Sequence, residues 1–240
     1  MESGLFERTS ILIKEEGIQK LAGLHVLVCG LGGVGSYAAE ALCRAGVGRL
    51  TLVEHDTVAS SNINRQLHAT HDTVGQKKIE VMVGRMQAIN PNCQLDPRDH
   101  FITRETIPEL LDTAQPHVVL DAIDSLNCKV GLIVESYRRE LPIYSSMGAG
   151  GRVDPTKIEL SDLTKTHTCP LARKVRLRSR REGVKKGVIC AWSSELPAAP
   201  LPPEPVSQGR PRAVNGTISY LPALFGLTLA GRIVQTHLQE

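Results

Sequence analysis

Apolar and polar positions change rhythm several times along the chain. His25–Gly30 (HVLVCG) is a short apolar run closed by glycine and predicts a strand buried on both faces. Gly33–Gly46 (GVGSYAAEALCRAG) is alanine-rich, helically spaced and ended by glycine. Arg49–Glu54 (RLTLVE) predicts a second strand, and Gly75–Asn90 a helix that Pro91 stops. CQLDPRD is a weaker strand, and His117–Asp124 (HVVLDAID) is a strand with acids at its end. The helix LNCKVGLIVESYRRE and the strand LPIYSSMG follow. Strands separated by helices predict an α/β architecture: a mostly parallel sheet, right-handed crossovers and helices on both faces.

After Gly151 the rhythm changes. RVDPTKIELSDL alternates like an exposed strand, and PLARKVRLRSRREG is a basic helix with Pro170 near its start and Gly183 near its end. GVICAWSSE reads as a strand. Residues 196–216 hold six prolines and almost no periodicity, which predicts a loop. Thr217–Leu238 returns as a helix. The expected organisation is a first region, 1–151, and a smaller C-terminal part, 152–240, with extra strands and helices. The two are integrated into one domain.

Composition narrows the classes. Apolar residues make up 41% and aromatic ones 3%, so the core must be aliphatic. The longest apolar run, ISYLPALFGLTLAG, is interrupted by Pro222 and followed by Arg232, too short for a membrane span of about 20 residues. The N-terminus lacks a basic start followed by an apolar run, so no signal peptide is expected and a cytoplasmic setting fits. None of the six cysteines forms a C-x-x-C pair, so no zinc is expected. The net charge is only +3, yet Arg173–Lys186 carries eight Lys/Arg against the single acid Glu182. Such a block is either a solvated helix face or a phosphate-binding surface.

CGLGGVG places Gly30, Gly32 and Gly35 between a strand and a helix, where glycines permit a tight turn and a phosphate on the helix N-terminus. Glu54 follows 24 residues after Gly30, at the position for a ribose-binding acid. The motif alone fits NAD, FAD or ATP, or glycines that only pack helix on strand. Asn62, Asn64, Arg65, Lys78 and Asp124 then converge on the same sheet edge. A triphosphate with magnesium needs fixed cations and a metal carboxylate, so this set favours ATP and Mg2+ over NAD, with attack at the α-phosphate. His68 and His71 read as solvent-facing or capping residues.

GLGGVG, SNINRQ, VGQKK and DAID together resemble the ubiquitin-activating-like adenylyltransferases of the ThiF/MoeB type. The resemblance implies a Rossmann-like ATP-binding fold and a homodimer. It assigns Gly33 to the phosphate loop, Glu54 to the ribose, Asn62, Arg65 and Lys78 to the phosphates, and Asp124 to magnesium. It also implies that Arg8 reaches the partner subunit's ATP. The second half, through SSMGAGGRVDPTKIELSDLTKT, PLARKVR, SSE and NGTISYLPALFGLTLAGRIV, is similar to the tRNA threonylcarbamoyladenosine dehydratases. That similarity implies adenylation and cyclising dehydration of threonylcarbamoyladenosine at position 37 of a tRNA, with release of AMP and pyrophosphate. It makes Arg173, Arg176 and Arg180 candidate tRNA contacts and Arg65, Lys78 and Asp124 the catalytic set. One departure is Cys169, where that family usually has Asp before the proline. Cys169 and Cys190 read as small buried residues rather than nucleophiles. Two alternatives stay open: an adenylyltransferase for the C-terminal glycine of a ubiquitin-like sulfur carrier, and a non-catalytic nucleotide-binding module. A sulfur-transfer protein partner also stays open.

Overall fold

The computed structural model describes residues 4–202 and 215–239. Helix α1 (Glu7–Gly23) leads into β1 (His25–Cys29), α2 (Gly35–Ala45), β2 (Arg49–Val53), α3 (Lys78–Ile89) and β3 (Gln94–Arg98). Then come α4 (Ile107–Ala114), β4 (Val118–Asp121), α5 (Leu126–Arg138) and β5 (Ile143–Ser146). The chain closes with β6 (Ile158–Asp162), α6 (Pro170–Arg181), β7 (Val188–Ser193) and α7 (Tyr220–Gln239). One seven-stranded sheet has the order β3-β2-β1-β4-β5-β7-β6. All neighbours are parallel except β6 and β7. No described helix is long and apolar enough to cross a membrane.

Burial explains why the central strands read as unbroken apolar runs. Every residue of β1 and β4 is buried, because helices cover both faces. Val26 and Val28 face the layer of α2, α3 and α7, packing with Leu42, Met82 and Phe225. Leu27 and Cys29 face the layer of α4, α5 and α6, packing with Leu110, Ile133 and Val175. Pro97 sits in β3, at the sheet edge, where its missing amide costs no second ladder bond.

Two helices lie outside the sequence reading. The periodicity assigns neither α1 nor α4. Helix α4 is only eight residues long, and α1 changes direction at Lys14, whose φ is +60°. That break returns both ends of α1 to the edge where strands begin: Phe6 lies against Gly46, and Gly48 donates to the Leu21 carbonyl. A boundary also moves. Strand β4 ends at Asp121, and Asp124 stands in the following loop rather than at the strand end. Of the proline-rich loop 196–216, residues 203–214 lie outside the described residues.

Helix α7 is the brace of the carboxyl edge. A Cβ on Gly226 would stand 2.2 Å from the Val34 carbonyl oxygen, so glycine is what lets α7 and α2 approach. One turn earlier, Pro222 lies 3.0 Å from the Cβ position of Gly33. Gly226→Ala is therefore expected to cost about 1–3 kcal/mol by overpacking against a backbone that cannot yield. Gly231→Ala, with nothing within 4 Å of its Cβ position, should cost nothing. Urea unfolding of the two variants checks this, and equal stabilities would contradict it.

Candidate functional site

The strand order reverses between β1 and β4, so a crevice opens beyond their carboxyl ends. The glycine loop lies there. Gly30 has φ +90°, a conformation that side chains disfavour, and its Cβ position is 3.0 Å from the Ala122 carbonyl oxygen. A Cβ on Gly35 would be 1.8 Å from the Gly30 carbonyl oxygen, so α2 begins directly on the end of β1. Gly32 differs: its nearest neighbour is Gln66 Nε2 at 3.9 Å, so it leaves an open ledge at the N-terminus of α2. An anion on that ledge meets first-turn amides and the positive end of the helix dipole. The glycines thus serve packing at Gly30 and Gly35, and at Gly32 they leave space beside the helix start.

The other residues close round this ledge. Glu54 is buried at the end of β2, where Oε2 accepts from Leu31 N at 2.9 Å and Oε1 from His55 N at 2.8 Å. Its carboxylate thereby ties β2 to the glycine loop and is held fixed at the carboxyl edge. The Arg65 stem stands 3.5 Å from the Gly33 Cβ position, and its NH1 donates to Ser61 O and Asn64 Oδ1, both at 2.8 Å. Asn62 is buried, and its Oδ1 accepts from Ala59 N at 3.1 Å, shaping the turn that carries Arg65. Asn64 donates to Thr217 O at 2.9 Å, linking this loop to the approach of α7. Lys78 Nζ is held by Asp56 Oδ2 at 2.8 Å, with the lysine nearly buried and the aspartate half exposed.

Asp124 is exposed in the loop between β4 and α5, on the same carboxyl edge. Magnesium takes hard oxygen ligands and commonly binds through one or two carboxylates and the phosphates themselves. An exposed carboxylate on the same sheet edge as the glycine loop is of the chemistry that requirement asks for. Among the described residues, one set of three potential metal ligands stands together, Glu54, His55 and Asp56.

Several sequence-predicted residues are elsewhere. Arg176 turns inward: its NH1 donates to Thr166 O at 2.6 Å and Thr166 Oγ1 at 2.5 Å, so it anchors α6 instead of facing solvent. Arg173 and Arg180 are exposed. Arg8 lies in the first turn of α1, near Phe6 and the edge where strands start, so one chain does not bring it to its own glycine loop. The turn Gly148–Gly151 is covered, with Gly151 N donating to Gly216 O and Ala198 N to Gly151 O, both at 2.7 Å. Cys169 caps α6, its Sγ accepting from Ala172 N at 3.5 Å, which is the task an Asp would perform there. Burial pushes the Cys190 thiol up, consistent with an inert core residue.

The sequence reading overlooked Gln66 and misread His68. Gln66 is buried beside Gly32, and its Oε1 has no protein partner. His68 is buried, not solvent-facing, and neither ring nitrogen has a partner. Burial, and then the Lys78 charge, lower its pKa from 6.5 to about 4, so it stays neutral at pH 7. Adjacency to Arg65 in SNINRQLH marks the segment, but nothing in it signals that either side chain is buried.

Known proteins resemble this chain over most of its length. The ThiF family model matches residues 6–240. The tRNA threonylcarbamoyladenosine dehydratase of Bacillus subtilis (strain 168) is 39% identical, covering 98% of this chain and 95% of that protein. That of Escherichia coli (strain K12) is 43% identical, over 79% of this chain and 73% of that protein. The crystal structure of the E. coli tRNA N6-threonylcarbamoyladenosine dehydratase in complex with ATP superposes with a TM-score of 0.88 at 37% identity, covering 98% of this chain and 93% of that one. With the family model matched over residues 6–240 and nearly its whole length matched by a relative at 39% identity, the chain belongs to the ThiF family and, within it, to the tRNA threonylcarbamoyladenosine dehydratases.

Proposed function

We propose that this protein uses ATP to adenylate the carboxylate of threonylcarbamoyladenosine at position 37 of a tRNA, and that ring closure within the modified base then expels AMP. The observation that carries this reading is the convergence of the open Gly32 ledge, Glu54, Arg65, Lys78 and Asp124 on one sheet edge, in a chain whose second half also matches the dehydratases. Residues 1–151 hold the nucleotide and 152–240 receive the tRNA.

The residues divide the work. Glu54 orients the ribose, and the start of α2 holds the phosphates. The substrate carboxylate displaces pyrophosphate at the α-phosphorus, and Arg65 and Lys78 offset the charge that builds on the phosphates. Asp56 must share Lys78 with them. Asp124 would hold magnesium, which supplies Lewis-acid stabilisation of phosphate charge when bound. The ring-closing nucleophile belongs to the substrate, so proximity provides much of the second step and no enzyme thiol is needed.

A homodimer is part of the reading. Arg8 needs a second subunit to meet a nucleotide, and Ile11 and Leu12 beside it are 70% and 84% exposed. Six free cysteines fit a reducing cytoplasm. The ubiquitin-like carrier remains the alternative acceptor. A partner protein for sulfur transfer belongs to that alternative.

Pyrophosphate exchange into ATP decides the acceptor. Exchange and AMP release should require threonylcarbamoyladenosine-modified tRNA and should not respond to a ubiquitin-like protein ending in glycine. Asp124→Ala should lower AMP release by about 100-fold or more. A wild-type rate in that variant would displace the metal from Asp124.

Arg8→Ala and Asp124→Ala chains, each inactive alone, should recover about a quarter of wild-type activity when mixed equally, because half the dimers are hybrids with one intact site. Hybrid dimers without activity would rule out a shared site.

The exposed arginines of α6 give a separate test. Neutralising Arg173 and Arg180 should reduce the slope of log tRNA affinity against log salt by roughly 0.7–0.9 for each lost phosphate contact, leaving ATP affinity unchanged. Arg176→Ala should instead lower the melting temperature, since it anchors α6. Identical salt slopes would make Arg173 and Arg180 a solvated face.

A further inference from the structure

Beneath the crevice, four adjacent strands place polar or thiol side chains in one register row. Cys29 of β1 pairs with Asp121 of β4, Asp121 with Ser145 of β5, and Ser145 with Cys190 of β7. Lys129, in the first turn of α5, descends onto the middle of this row. Its Nζ lies 2.7 Å from Asp121 Oδ2 and 3.4 Å from Ser145 Oγ, and Ser145 Oγ donates to the same Asp121 oxygen at 2.5 Å. Asp121, Lys129, Ser145 and both cysteines are fully buried.

Nothing about local stability asks for this arrangement. A buried ion pair must recover the large cost of dehydrating both charges, and apolar side chains of similar volume often do as well or better. A lysine in the first turn of a helix also opposes the helix dipole. Burial raises the thiols of Cys29 and Cys190, so neither supplies the counter-charge, and Asp121 is the partner that justifies Lys129.

The second oxygen of Asp121 shows what the pair holds. Oδ1 accepts from Ile123 N at 3.0 Å, and Ala122 N donates to Cys29 O at 2.9 Å. The turn so fixed runs directly into Asp124. The same turn is the floor of the glycine loop: the Cβ positions of Gly30 and Gly35 lie 3.0 Å from Ala122 O and 3.1 Å from Ala122 Cβ.

We propose that Asp121, clamped by Lys129 and Ser145, is the positioning residue that sets Asp124 against the phosphate ledge. This deepens the functional reading above and rests on Asp124 as the magnesium carboxylate. Asp121 touches neither nucleotide nor metal. It acts through the backbone of residues 122–124.

The test uses the full-length chain with two readouts: hydrogen exchange of the 122–125 amides without ligand, and the magnesium dependence of pyrophosphate exchange with modified tRNA. The variant Asp121→Asn/Lys129→Met removes both charges together, so neither is stranded. It is expected to fold, with those amides exchanging about 10-fold faster and half-saturating magnesium raised about 10-fold or more. Should that variant fail to fold, Ser145→Ala removes one bond to Asp121 without stranding a charge, and both shifts should be about fivefold. Wild-type amide protection and magnesium dependence in the folded variant would overturn the proposal and leave the pair a packing feature. Asp124→Ala, measured beside them, separates the two ideas. If it keeps wild-type magnesium dependence, the metal reading fails, while the amide exchange of the charge-free variant still decides whether Asp121 positions the turn.

Discussion

The structure turns on how closely three backbones meet at the end of β1. The Gly30 carbonyl lies where a side chain on Gly35 would be, Ala122 sits under Gly30, and α7 presses Gly226 on the Val34 carbonyl. No L side chain fits between such backbones, so α2 must start at the strand end with its first amides pointing over the crevice. Several polar side chains lie around that start. Arg65 lies along Gly33, Gln66 lies beside Gly32, and Glu54 bonds to Leu31 within the loop.

The sequence made the nucleotide half legible because its signals are local. GLGGVG spans one turn, and β1 and β4 are mostly apolar and wholly buried because both faces are covered. The same locality explains the failures. Asp124 ends the apolar-acidic string HVVLDAID, yet the sheet ladder stops at Asp121, because Asp121 turns its carboxylate to Lys129 and Ile123 and bends the chain away. Helical spacing put Arg176 on the basic face with Arg173 and Arg180. Its inward turn depends on the Leu163–Thr166 carbonyls, thirteen and ten residues earlier, which no window of the α6 sequence contains. His68 was invisible for a similar reason: only packing makes a loop histidine a buried neutral one.

Charge is distributed unequally over the two ends of the site. At the nucleotide end each cation already has a protein partner, Lys78 with Asp56 and Arg65 with Ser61 and Asn64. Those side chains are held in place before any phosphate arrives, which reduces what must be ordered on binding. On α6, Arg173 and Arg180 are exposed; in the proposed reading they act by long-range attraction, where fixed geometry matters less.

The brace formed by α7 also bears on the order of folding during synthesis. The glycine loop belongs to the first fifth of the chain, while Pro222 and Gly226, which buttress it, come after every described strand. A nascent chain that has completed the whole sheet still lacks the wall against Gly33 and Val34. Contacts of such sequence separation form late, since the intervening chain must first be ordered. Until α7 is made, the chain exposes the apolar face of α2 that α7 covers.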